Sequence, residues 1–317
     1  MDQIALSRNS RTYLLHIALF LATLLTTTLA GVQWINENPF ELSNFAHGLP
    51  YSISLLAILT AHEFGHFFAA RYYNVNTTLP FFIPIPPFLL NPFGTMGAVI
   101  RIRSQMYSKR ALFDIGIAGP IAGLVVTLAV LVLGLATLPP KEYLYSIHPQ
   151  YRGLPSIPAE GLTFGTSIFF WLVAKLGSGI GFFPPMNEVY HYPFLCVAWF
   201  GLFVTALNLI PVGQLDGGHI LYALVDRKQG IVARIFWGIL IAIGLASFLP
   251  FFGAHIQLGT VGWLLWAIIL FFIIKLDHPE IPDVTPLDPN RRLLGWASLV
   301  IFVLTFPPIP FLEIGGS

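Results

Sequence analysis

Long, almost unbroken apolar runs alternate with short polar breaks along this chain. A helix needs about 20 apolar residues to cross a bilayer. Runs of that order lie near 13–34, 50–73, 111–137, 192–212, 231–251, 258–275 and 293–311. An eighth, near 163–183, is interrupted by Lys175 and several glycines and is followed by Pro184–Pro185. The segment 79–104 is equally apolar but carries four prolines between 80 and 87, which exclude a regular helix and leave extended, partly β structure. Such backbone survives at membrane depth only where protein or a wet cavity shields it. The pattern predicts an all-α polytopic membrane protein with about seven transmembrane helices. A re-entrant or surface segment near 163–183 and a small membrane-associated β segment near 79–104 complete the expected fold. The run 13–34 exceeds a signal-peptide core of about 7–15 residues and reads as a retained transmembrane helix. No polar stretch is large enough for a soluble domain, so 1–317 reads as one integral membrane domain with additional C-terminal helices over about 231–311.

Charge adds orientation. If the N-terminus is cytoplasmic and 163–183 does not cross, 13 of the 16 Lys and Arg fall on the cytoplasmic side, with Lys141 and Arg152 outside and Lys175 in the doubtful segment. A crossing at 163–183 would flip every later basic loop outward. Composition agrees with a membrane class: 56% of residues are hydrophobic and 10% charged, against about 25% charged in soluble domains. A net charge of +1 gives no electrostatic case for nucleic acid. Cys196, the one cysteine, reads as a buried small hydrophobe. Trp34, Tyr51 and Tyr192, near run ends, read as interfacial anchors. The expected location is a bacterial-type cytoplasmic membrane, with the N-terminus and any active site toward the cytoplasm.

The second run carries Ala61-His62-Glu63-Phe64-Gly65-His66. His62 and His66, at i and i+4, present two imidazoles to one ion on one helical face, and the adjacent Glu63 can serve as general base. Zinc suits neutral imidazole and wants three protein ligands at a catalytic site. The alternative, two packing histidines and a buried glutamate, is costly inside a membrane. Asp216, in Asn208-Leu-Ile-Pro-Val-Gly-Gln-Leu-Asp-Gly-Gly-His219, is the candidate third ligand; taken alone, Asp-Gly reads as a turn. Under the charge-derived topology the run 192–212 descends to the depth of His62 and His66, so ligand geometry and loop charge require the same topology. His191, His219, His255 and His278 are expected to be non-ligands, no second constellation being visible, with His219 a possible hydrogen-bonding partner of the ligands. Asp114 is expected to be solvated or Arg-paired. A transporter with a His/Glu ion path and a non-catalytic membrane metal-binding protein are the competing classes; no repeat-related halves are found, and Glu63, His62, His66 and Asp216 are all present.

His62-Glu63-Phe64-Gly65-His66 together with Asn208-Leu-Ile-Pro211-Val-Gly-Gln-Leu215-Asp216-Gly217 resembles the site-2 protease family of intramembrane zinc metalloproteases. Phe93-Gly94-Thr-Met-Gly97 and Gly116-Ile-Ala-Gly-Pro120 are similar to its membrane-edge hairpin and third-helix region. The resemblance covers a catalytic core of about 50–225. It implies one Zn2+ per chain held by His62, His66 and Asp216, with Glu63 activating water. Asn208 would hydrogen-bond substrate or the oxyanion, or act as helix–helix glue. The implied substrate is a transmembrane protein or peptide, reached within the lipid bilayer. The extended segment near Gly94 and Gly97 would add to an unwound substrate as a β-strand. No stretch is long enough for the PDZ domain some members carry.

Overall fold

A computed structural model describes residues 2–87, 92–104, 106–253 and 258–314. Helix α1 (Asp2–Trp34) packs against α2 (Phe45–Tyr72), and the short strands β1 (Phe81–Pro84) and β2 (Thr95–Val99) follow. Helix α3 (Lys109–Ala136) leads through α4 (Lys141–Ile147), β3 (Gly161–Phe164) and α5 (Ile168–Ile180) to α6 (Pro193–Asn208). Then come α7 (Asp216–Val225), α8 (Gln229–Ala246), α9 (Gly262–Ile269), which runs on into a π-helical turn, α10 (Pro289–Thr305) and β4 (Phe311–Ile314). Several helices start on side-chain caps: the Ser108, Ser167 and Asp288 side chains accept the N–H groups of Ala111, Phe170 and Arg291.

Four helical stretches among the described residues are long and apolar enough to cross a membrane: Arg11–Trp34, Leu42–Tyr72, Lys109–Ala136 and Asp216–Ala246. The fourth is broken at Asp226, a non-glycine at φ 53°. The expected count of about seven is therefore not reproduced. The run 192–212 yields a 16-residue α6, about 24 Å long at 1.5 Å per residue. The tail of 293–311 leaves the helix at the Pro307–Pro308 break and ends in β4, which pairs antiparallel with β3. The segment 163–183 divides into the end of β3 and the 13-residue α5, which at about 20 Å is shorter than a bilayer core.

The proline-broken segment forms the expected β structure. β1 and β2 pair antiparallel, Phe81 opposite Val99 and Phe82 opposite Ala98, with an irregularity before Pro84. The hairpin lies on α1: His16 Nδ1 donates to the Pro80 carbonyl at 2.9 Å, and its ring packs on Phe81.

Helix α6 forms the centre of one core, with Cys196, Val197, Ala198, Trp199 and Phe200 all buried against α2 and α3. Trp34, Tyr51 and Tyr192 belong to this core, only 8%, 0% and 3% exposed, rather than to an interface. Trp34 and Tyr51 meet Phe200, and Tyr192 meets Tyr143; the run ends fold inward, so aromatics near them pack on one another. Cys196 is buried, as expected.

Asp114 is Arg-paired. Arg291 of α10 grips it through two hydrogen bonds of 2.7 and 2.6 Å, and Tyr73 donates to the same carboxylate. This fork ties α10 to α3 and to the end of α2. Replacing Asp114 with Ala leaves a partly buried guanidinium short of an acceptor and is expected to cost about 2 kcal/mol. Thermal unfolding in detergent should show a lowered midpoint; an unchanged midpoint would remove this tie from the account of how α10 docks.

Candidate metal centre

His62, Glu63 and His66 lie on one stretch of α2 and are all buried, at 6%, 7% and 7% exposure. Asp216 opens α7 eight residues beyond the end of α6. Its Oδ2 lies 3.4 Å from His62 Nε2 and 3.3 Å from His66 Nε2, and the two Nε2 atoms are 3.1 Å apart. Residues 150 positions apart thus converge on one point, as the sequence predicts.

Three donor atoms at these separations fit a tetrahedral zinc ion. Metal–ligand bonds near 2.0–2.1 Å give a donor–donor edge of about 3.3 Å. The imidazole orientation fits as well: His66 Nδ1 donates to the Ile115 carbonyl at 2.7 Å, which leaves the Nε2 lone pair facing the other donors. The Ile100 backbone amide lies against the Glu63 carboxylate, so the end of the β hairpin reaches the candidate base.

The helices can bring these groups together because side chains are missing where they cross. A Cβ built on Gly119 of α3 would lie 2.1 Å from His66 Nε2, in collision with the ring. One on Gly123 would crowd the His62 side chain at 3.2 Å, and one on Gly65 of α2 would strike the Ala118 carbonyl at 2.5 Å. A similar absence presents Asp216: a Cβ on Gly217 would meet the Leu209 carbonyl at 2.1 Å.

Asn208, at the end of α6, places Nδ2 3.4 Å from His62 Nε2 and so borders the site. Gly94 and Gly97 take positive φ angles of 79° and 93° but differ in surroundings. Gly94 is wedged against the backbone of α1, 2.5 Å from the Thr26 carbonyl by its would-be Cβ, whereas Gly97 faces open space. His219 does not join the three donors; its Nδ1 pairs with His278 Nε2 at 2.8 Å, and its Cβ packs on Gly116. Burial pushes His278 below the ordinary histidine range. His255 lies outside the described residues. The expectation that no second constellation exists fails: His191 converges with His148 and Glu188. The sequence signal was weak, because His148 lies forty residues from Glu188 in an irregular segment; the Glu188-x-x-His191 spacing was the one local hint.

The sequence model of peptidase family M50 matches residues 50–251, which include every donor just described. The chain belongs to peptidase family M50. It is also similar to curated plant proteins. A probable zinc metalloprotease EGY1, chloroplastic, of Oryza sativa subsp. japonica is 32% identical over 82% of this chain and 41% of its own length. A probable zinc metalloprotease EGY2, chloroplastic, of Oryza sativa subsp. indica is 29% identical over 91% of this chain and 48% of its own. A probable zinc metallopeptidase EGY3, chloroplastic, of Arabidopsis thaliana is 25% identical over 93% and 49%. The chain thus spans less than half the length of these relatives.

A methyl group at Gly119 is expected to displace the His66 ring and weaken zinc binding at least about tenfold, the range seen when groups supporting a ligand are disturbed. Gly238→Ala, in open space on α8, is the control. Equilibrium dialysis against buffered zinc separates the two; equal affinities would mean that the α2–α3 crossing does not set the site.

Proposed function

We propose that this chain is a zinc metalloprotease that hydrolyses peptide bonds within or near transmembrane segments of other membrane proteins. The observation that carries the reading is a buried glutamate beside three zinc-type donors, on a helix long and apolar enough to span a membrane. Zinc held by His62, His66 and Asp216 would supply Lewis-acid polarisation of water and of the scissile carbonyl.

The chain's own groups do the rest. Glu63 takes the proton from the attacking water and returns it to the departing amine. Burial keeps bulk water from the base, so access is confined to the site. Asn208, beside His62, offers its amide N–H to the substrate carbonyl as negative charge develops. A transmembrane helix hides its carbonyls in its own hydrogen bonds and must unwind before it is cut. The β1–β2 hairpin, whose end lies against Glu63, gives such a segment an edge on which to pair. Gly97 belongs to that edge, while the packing of Gly94 on α1 suits a role in seating the hairpin.

With seven crossings, the basic loops favour an orientation with the N-terminus and the active site on the cytoplasmic face, and a bacterial-type membrane is the proposed location. The plant relatives are chloroplastic by name. The whole chain acts as one membrane domain around a core of about 50–225. Membrane-tethered regulators and signal-peptide remnants are the two substrate classes proposed for a site of this kind. The transporter reading is not favoured: it accounts neither for the family match nor for a base beside a complete donor set.

Glu63→Gln is expected to keep zinc and to slow cleavage of a model transmembrane substrate by about 10²–10⁴-fold, the usual contribution of a general base. Equal cleavage by variant and wild type would sink the mechanism. Gly97→Val should reduce cleavage at least about tenfold, judged by the energy of a few strand hydrogen bonds, with zinc content unchanged. Full activity in that variant would remove the strand-pairing role.

A further inference from the structure

A second cluster lies at the other end of α6. His148 Nε2 and His191 Nε2 are 3.0 Å apart, and Glu188 Oε2 lies 3.4 and 3.5 Å from them. These separations match those among His62, His66 and Asp216 and bracket the edge of about 3.3 Å of a tetrahedral zinc site. His191 and Glu188 are 1% and 2% exposed, more deeply buried than the donors on α2.

The supporting contacts also match. His191 Nδ1 donates to the Trp34 carbonyl at 3.1 Å, which turns the Nε2 lone pair toward the cluster, as the Ile115 carbonyl does for His66. Glu188 Oε1 accepts from the Tyr151 hydroxyl at 3.1 Å and from Asn187 Nδ2 at 3.0 Å. Its other oxygen, Oε2, is buried and makes no hydrogen bond, yet it is the oxygen aimed at both imidazoles. A buried carboxylate oxygen left in this state is costly. A cation among the three atoms would satisfy the oxygen and both lone pairs at once. Two imidazoles with one carboxylate select a zinc-class transition metal over calcium or magnesium.

We propose that His148, Glu188 and His191 form a second zinc-class metal site, distinct from the one on α2 and α7. Helix α6 separates them: it begins two residues after His191 and ends at Asn208 beside His62, so the two sites stand about 24 Å apart. The second site joins three parts of the chain. His148 follows α4, Glu188 and His191 lead into α6, and the Trp34 carbonyl behind His191 closes α1. Metal there pins the irregular segment between α3 and α6 to the helix ends at that face.

The test counts metal on the full chain, purified in detergent, stripped and reloaded with Zn2+ alone, then measured by elemental mass spectrometry. Wild type is expected to hold two zinc ions per chain. His148→Ala and Glu188→Gln should each hold one, His62→Ala/His66→Ala should hold one, and the combined variants none. His148 sits on a partly exposed loop, so His148→Ala is the variant least able to disturb folding, and the ion it keeps at the α2 site reports an intact bundle. One zinc ion on wild type, or two on both His148→Ala and Glu188→Gln, overturns the proposal and leaves the cluster a hydrogen-bonded network. A count of two lost only through His62 and His66 does the same.

Discussion

Two imidazoles and a carboxylate can occupy the middle of an apolar bundle only if the neighbouring helix carries no side chain where it passes them. Gly119 and Gly123 of α3 provide that gap, and Gly65 of α2 lets the two backbones close. Close approach also gives His66 its hydrogen bond to the Ile115 carbonyl, which fixes the ring. In an apolar environment an imidazole N–H without a partner is costly, so the gap and the hydrogen bond are one arrangement rather than two. Everything else at the site is arranged around this crossing.

Helix α6 sets the remaining distances. It is buried along its length and packs on α2 and α3, so its two ends are fixed relative to them. Its C-terminal end brings Asn208 to His62 and starts the short connection through Pro211 and Gly213 that presents Asp216. Its N-terminal end holds Glu188 and His191 under α1. A shift of α6 along its axis would change both clusters together, which couples the geometry of the two ends of the molecule through one rigid element.

The β hairpin shows how an apolar sequence can serve something other than spanning. Prolines bar helix formation over 80–87, and the resulting strands rest on α1, with the end of the hairpin meeting Glu63. The strand pair β3–β4 was less legible: its partners are some 150 residues apart, and β4 lies at the end of a run whose apolarity resembles that of the helix before it. The count of about seven spans is likewise not reproduced by helix length and apolarity among the described residues. Hydropathy counts apolar residues but cannot see breaks such as the one at Asp226, or a helix like α6 that is short and buried in protein.

The sequence by itself determined the membrane class and the candidate pair His62 and His66 with Glu63 beside it. Local chemistry dictates these: i, i+4 imidazoles share a helical face, and charged groups in apolar runs demand a partner. Asp216 was the candidate third donor, and the fold brings it to the two imidazoles. The extended character of 79–104 followed from proline for the same local reason. Tertiary structure alone decided which glycines admit the histidines, that Trp34, Tyr51 and Tyr192 are core rather than interface, and that His148 reaches Glu188 and His191. Those outcomes depend on which distant surfaces meet, and no periodicity along a chain encodes the distance between residues forty or more positions apart in irregular segments.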